Sequence, residues 1–185
     1  LLPAPVFQLT AELQATRRLG LTATLIREDG REGDVFSLIG PKRYDAAWKD
    51  LERSGYLAPA ECVEVRVELP DQDRLHYATL PDSERYRFAS SSVEKDSVVQ
   101  QIISSHPDER ILVMGMYLDQ LERIAQHLDV PLITGDTPMS EREELLQEFR
   151  EGSRSILVVS KVANFSIDLP EASIAIQISG TFGSR

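Results

Sequence analysis

Cysteine is almost absent from this chain of 185 residues, where Cys62 stands alone. A single thiol excludes an internal disulfide and any multi-cysteine metal site. Cys62 opens the apolar–charged alternation Cys62-Val-Glu-Val-Arg-Val67 and reads there as a small core hydrophobe. Histidine is scarce too. His76, His106 and His127 lie far apart, without HxxxH or HExxH spacing, so no motif speaks for a metal centre and all three read as surface residues. No apolar run approaches the roughly 20 residues that span a bilayer. The opening Leu1-Leu-Pro-Ala-Pro5 has no basic n-region and does not read as a secretory signal, which points to a cytoplasmic protein. GxxxxGK[ST] is missing, and with it the Walker A cradle for nucleotide phosphates. Positive charge is also short, with 20 Lys and Arg against 30 Asp and Glu and a net charge of −10. Phosphate binding draws on Lys and Arg, so this balance argues against indiscriminate adhesion to nucleic acid. An acidic chain still binds DNA when a few cations line one groove, with part of the affinity supplied elsewhere in the protein.

What is present is an ordinary globular mix, 42% hydrophobic and 27% charged, long enough to bury the core of one domain or slightly more. Residues 5–17 predict a helix, with Val6, Leu9, Leu13 and Ala15 in an approximate stripe. Arg18 to Thr24 predicts a short strand, followed by a charged, glycine-bearing loop from Arg27 to Gly33. Gly40-Pro41 is a breaker and marks a lobe boundary. Tyr44 to Arg53 predicts a helix with Trp48 and Leu51 on one face and Gly55 as its stop. Cys62 to Leu69 predicts a half-solvated, edge-type strand. Residues 71–90 follow neither period cleanly and read as a helical insertion.

From Ser91 the pattern becomes regular. Ser91 and Glu94 suggest a capping box for a helix that buries Val98, Val99, Ile102 and Ile103. Ile111 to Met114 is a strand. Tyr117 to His127 is a helix with Leu118, Leu121, Ile124, Ala125 and Leu128 on its apolar face. Pro131 to Thr134 is a strand. Ser140 and Glu143 suggest a second capping box, for a helix that buries Leu145, Leu146 and Phe149 and stops at Gly152. Ile156 to Val159 and Ile174 to Ile178 complete the strands. Alternation at this spacing predicts an α/β fold, a parallel sheet flanked by helices on both faces.

Several polar groups fall where such a sheet binds ligands, at the carboxyl ends of its strands. Ser160-Lys161 follows one strand, placing a hydroxyl and an ammonium where consecutive phosphates could be gripped. Asp168 follows within Ile167-Asp-Leu-Pro170. Thr134-Gly135 leads into the helix that carries Arg142, near backbone N–H groups suited to a phosphate. The bland alternatives are an ordinary loop capped by Asp168 and an Arg142 paired with neighbouring glutamates. Thr22 and Thr24 offer hydroxyls at the end of the first predicted strand, where they equally satisfy local backbone. Arg27-Glu28-Asp29 reads on its own as a solvated charged loop.

Taken in order, these segments resemble the XPB family of superfamily 2 DNA repair helicases, over nearly the whole chain. Leu19-Gly-Leu-Thr-Ala-Thr-Leu25 resembles motif III, Arg27-Glu28-Asp29 the RED element, and Ser160-Lys161 with Ile167-Asp-Leu-Pro170 motif V. Gly40-Pro41-Lys42 and Gly135 to Arg142 also resemble that family. Ala163-Asn164-Phe165 departs from the Gly-Asp-Thr of many members and looks like a bacterial variant. The resemblance implies that residues 1–40 end a first RecA-like lobe and that residues 41–185 form most of a second. It implies coupling by Thr22 and Thr24, strand separation by Arg27, Glu28 and Asp29, and an ATP-ribose contact by Asp168. It implies nucleic-acid contacts by Thr134, Gly135, Arg142, Ser160 and Lys161. ATP and Mg2+ would be held mainly by a first lobe bearing Walker A and Asp-Glu-Val-His, neither of which is in this sequence. Gly183-Ser184-Arg185 looks like the lead-in to motif VI. The implied activity is ATP-dependent 3′-to-5′ DNA unwinding in repair or transcription, by a bacterial, nucleoid-associated protein, with this piece inactive alone. The alternative is a non-catalytic lobe that docks a repair nuclease or another factor. A nucleotide-sugar transferase lobe shares the strand–helix alternation but leaves the order of these motifs unexplained.

Overall fold

The computed structural model describes residues 16–22, 32–160 and 169–180, which divide into two compact units between Glu64 and Val65. The predicted helix over residues 5–17 lies almost wholly outside the described residues.

In the N-terminal unit, helices span Glu32–Leu38 (α1) and Trp48–Arg53 (α2). Residues 18–22 form no strand. Arg18 instead donates from Nη1 to the Leu38 carbonyl at 2.9 Å, and Gly20 lies against the Ile39 side chain. The charged loop predicted to run to Gly33 gives way at Glu32 to α1. The helix predicted over residues 44–53 begins only at Trp48, whose side chain is 60% exposed. Cys62 to Leu69 is not a strand either, and Cys62 is exposed rather than part of a core. Alternation creates a strand only where a neighbour takes up the ladder hydrogen bonds. No described strand pairs with this segment, and Val63 and Val65 stay exposed.

The C-terminal unit begins with two helices, Asp71–Thr79 (α3) and Asp82–Ser90 (α4), divided at Leu80-Pro81. Proline has no N–H to continue α3 but suits the start of α4. Next come helix Glu94–Ser105 (α5), strand Ile111–Gly115 (β1), helix Leu118–Leu128 (α6), strand Leu132–Ile133 (β2), helix Met139–Glu151 (α7), and strands Ile156–Ser160 (β3) and Ile174–Gln177 (β4). The order across the sheet is β2-β3-β1-β4, and every pairing is parallel.

Side chains alternate across this sheet, so each face has its own core. Ile111, Val113 and Val158 meet Val99 of α5 and Leu121, Ile124 and Ala125 of α6. On the other face, Leu112, Leu157, Val159 and Ile133 meet Leu146 and Phe149 of α7. β1 and β3 are therefore buried on both sides, which explains their unbroken apolar sequence. Leu118, expected on the apolar face of α6, is exposed, while Gln120 is fully buried. Neither predicted capping box forms. Val93 and Pro138 occupy the N-cap positions of α5 and α7, without side-chain caps. Gly152 does end α7, with φ at 83° in the left-handed region that favours glycine.

Phe149 is fully buried at the centre of the second core. Phe149→Ala should lower unfolding stability by about 3–5 kcal/mol in urea titrations, because it removes the ring and leaves a cavity.

Candidate nucleic-acid interface at the carboxyl edge of the sheet

The parallel register brings four strand exits to one level. Gly115 pairs with Ser160, and the pairs Ile133–Val159 and Met114–Gln177 put Thr134 and Ile178 one residue beyond them. The edge therefore reads Thr134, Ser160, Gly115, Ile178, in the order β2, β3, β1, β4. This is where an open parallel sheet offers a crevice to ligands.

Ser160 is the most constrained of the predicted contacts. It is 3% exposed at the end of β3, and its hydroxyl finds no hydrogen-bond partner among the described residues. A buried hydroxyl left unpaired is costly. One facing a ligand edge is suited to an incoming acceptor or donor, such as a phosphate oxygen.

Beside it, the turn after β2 is tied to itself. Thr134 donates its N–H to Thr137 Oγ1 at 2.9 Å, and its own hydroxyl accepts from the Asp136 N–H at 3.2 Å. Arg142, in the first turns of α7, donates from Nη2 to the Thr134 carbonyl at 3.0 Å. It does not pair with a glutamate across α7 in any described contact. Arg142 is thus a brace for the turn, with Gly135 exposed at its tip. Its Nε is buried without a partner among the described residues, which leaves a donor for a ligand at this turn.

On the β4 side, Gly115 admits a close approach. A Cβ there would come within 2.9 Å of Leu121 Cδ2 and 3.0 Å of both Ile178 Cγ1 and Ser179 Oγ. Ser179 Oγ accepts the Met116 N–H at 2.8 Å, and the Ile178 N–H reaches the Met114 carbonyl at 2.9 Å. Behind this edge sit Lys95 and Gln120. Lys95 Nζ donates to the carbonyls of Ser90 (3.0 Å) and Ile178 (2.9 Å). Burial pulls its pKa below the ordinary lysine value. Gln120 donates to the same Ser90 carbonyl at 2.8 Å. Arg123 holds Asp96 through Nε and Nη2, and that hydrogen bond is the leading reason why its pKa stands above the ordinary arginine value.

The structure thus brings Thr134, Gly135, Arg142 and Ser160 together at one edge. Thr22 lies in the N-terminal unit, exposed and outside any helix or strand. Thr24, Arg27, Glu28, Asp29, Lys161 and Asp168 lie outside the described residues. Sequence reasoning missed Lys95, Gln120 and Ser179. Their partners are backbone groups remote in sequence, and no motif announces them. Gly115 was discoverable as the glycine that closes an apolar run just before the next helix.

A parallel sheet with helices on both faces and its strand ends level along one edge defines a lobe of the doubly wound α/β class. Residues 51–185 match the model of the ERCC3/RAD25/XPB C-terminal helicase family, and the chain belongs to that family. It is 64% identical over 185 residues to the DNA 3′-5′ helicase XPB of Kineococcus radiotolerans, a match that covers 100% of this chain and 33% of that protein. It is 65% identical over 185 residues to the protein of the same name from Mycobacterium tuberculosis, covering 100% and 34% respectively. The chain therefore spans about a third of the length of the curated relatives it matches. A solved structure with a weaker likeness is the SWI2/SNF2 ATPase C-terminal domain of Sulfolobus solfataricus, with a TM-score of 0.44 and 20% identity over 60% of this chain and 58% of that one.

The brace by Arg142 gives a direct test. Arg142→Ala should raise amide exchange of residues 134–137 by about tenfold, the loss expected for one charge-assisted hydrogen bond to a carbonyl. Unchanged protection, read by exchange mass spectrometry, would remove Arg142 from that role.

Proposed function

We propose that this chain is most of the second RecA-like lobe of an ATP-dependent 3′-to-5′ DNA helicase, residues 41–185, together with the end of the first lobe, residues 1–40. The observation that carries this reading is identity of 64% and 65%, along the whole chain, with two proteins named DNA 3′-5′ helicase XPB. The edge geometry supports it. A buried, unpartnered Ser160 hydroxyl beside a braced Thr134–Thr137 turn suits a phosphate backbone laid along the strand ends.

In this reading Thr134, Gly135, Arg142, Ser160 and Lys161 line the DNA track. Asp168 meets the ribose side of ATP. Thr22 and Thr24 relay between nucleotide and lobe, and Arg27, Glu28 and Asp29 part the duplex. ATP, when bound between the lobes, supplies the phosphoryl chemistry that drives closure and release, and the chain's own residues hold the strand meanwhile. ATP and Mg2+ are assigned mainly to the first lobe of the natural protein, as the family resemblance implies. Among the described residues, no helix is long and apolar enough to cross a membrane. The setting we propose is the bacterial nucleoid, with a repair nuclease or another repair factor as partner.

The test uses the natural full-length protein. Lys161→Ala should weaken single-strand binding and make the slope of log affinity against log salt shallower by about 0.7, the loss of one phosphate contact. An unchanged slope would remove that contact. Asp168→Ala should chiefly slow ATP turnover. Replacing Arg27, Glu28 and Asp29 together by alanine should abolish unwinding of a 3′-tailed duplex while much of the single-strand-stimulated ATPase survives. Equal loss of both activities, in a variant with an unchanged melting temperature, would make the triplet a nucleotide-coupling element instead.

A further inference from the structure

Each of the three residues that leave β4 makes a hydrogen bond to a group outside that strand. The Ile178 carbonyl accepts Lys95 Nζ at 2.9 Å, Ser179 Oγ accepts the Met116 N–H at 2.8 Å, and the Gly180 carbonyl accepts the Tyr86 hydroxyl. Two of these donors, Lys95 and Tyr86, come from α5 and α4, neither of which is a sheet neighbour of β4. Both sit more than 80 residues from their acceptors, at separations of 83 and 94. The helices are in turn fixed to the lobe. The Ser90 carbonyl at the end of α4 takes both Lys95 and Gln120, and Arg123 reaches the Ser91 carbonyl at 3.2 Å. Cations and amide donors at a helix carboxyl end are favourable there, since they meet its unpaired carbonyls.

We propose that Lys95 and Tyr86 are positioning residues, which fix the backbone of residues 178–180 and so set where the chain leaving β4 enters the carboxyl edge beside Ser160 and Gly115. This rests on the helicase reading, because the chemistry they would serve is that of the two-lobe ATPase. Two features favour positioning over simple stabilisation. Each side chain spends its polar group on a carbonyl of the same short segment. And Lys95 is held at a cost, since burial disfavours its charged form. With the folded pKa below the unfolded one, that cost is present below the folded value and fades as pH rises through it toward the unfolded one.

The experiment compares Lys95→Met, Lys95→Arg, Tyr86→Phe and the double variant Lys95→Met/Tyr86→Phe in the natural full-length protein. Amide exchange of the peptide covering residues 174–180 is followed together with DNA-stimulated ATP turnover. We expect exchange there to rise in Lys95→Met and Tyr86→Phe, with melting temperatures close to that of the parent. We expect kcat to fall by about ten- to a hundredfold, as for a small misplacement outside the reacting groups, with KM for ATP little changed. Lys95→Arg, which keeps charge and donors, should recover part of kcat. The double variant should lose less than the product of the single losses, because both act on one segment. Unchanged exchange over residues 174–180, or unchanged kcat in both single variants, would overturn the proposal. So would a lower melting temperature with full turnover per folded molecule. A parent protein with no DNA-stimulated turnover would overturn the helicase reading itself, and the positioning role with it.

Discussion

Everything in the C-terminal unit depends on the double burial of β1 and β3. Because helices cover both faces of these two strands, their edges and faces are closed to solvent. Their carboxyl ends are where an open parallel sheet receives a ligand. A parallel sheet also needs a crossover between successive strands, and those crossovers put α6 and α7 on opposite faces. From that one constraint come the level row of Thr134, Ser160, Gly115 and Ile178 and the close approach at Gly115.

How much of this was legible in the sequence depends on how local the determining forces are. β1 and β3 were plain as short apolar runs, and α6 and α7 as periodic stripes, because burial writes itself into every residue of such elements. Gly152 was legible because only a left-handed residue ends α7 as it does. Residues 18–22 and 62–69, within the strands read at Arg18 to Thr24 and Cys62 to Leu69, form no strand, for one reason. Alternating polarity states a preference, but a strand exists only when a partner strand takes its hydrogen bonds. The capping boxes failed because Pro138 pre-sets the first turn of α7 one residue ahead of Met139, and Val93 starts α5 without a side-chain cap. Ser140 lies inside its helix instead of before it.

The candidate site divides in the same way. Ser160, Thr134 and Arg142 could be named in advance because they follow strands at recognisable spacing and resemble a family pattern. Even so, Arg142 proved to be directed at the Thr134 carbonyl, a role that charge alone does not reveal. Lys95, Gln120 and Tyr86 could not be named. A lysine in the first turn of a helix reads as solvated, and only the tertiary fold brings the Ile178 carbonyl to it. Residues that bond to distant backbone leave no pattern along the chain, yet here they connect α4, α5 and α6 with the exit of β4. The net charge of −10 argues against indiscriminate adhesion of nucleic acid to the rest of the chain.

The most direct test of the account is directional strand displacement by the natural full-length protein, on otherwise identical duplexes that carry a 3′ tail, a 5′ tail or no tail. The account predicts release of the displaced strand from the 3′-tailed duplex alone, and only while ATP is being hydrolysed. Displacement that favours the 5′ tail, or ATP hydrolysis that no DNA stimulates, would contradict it.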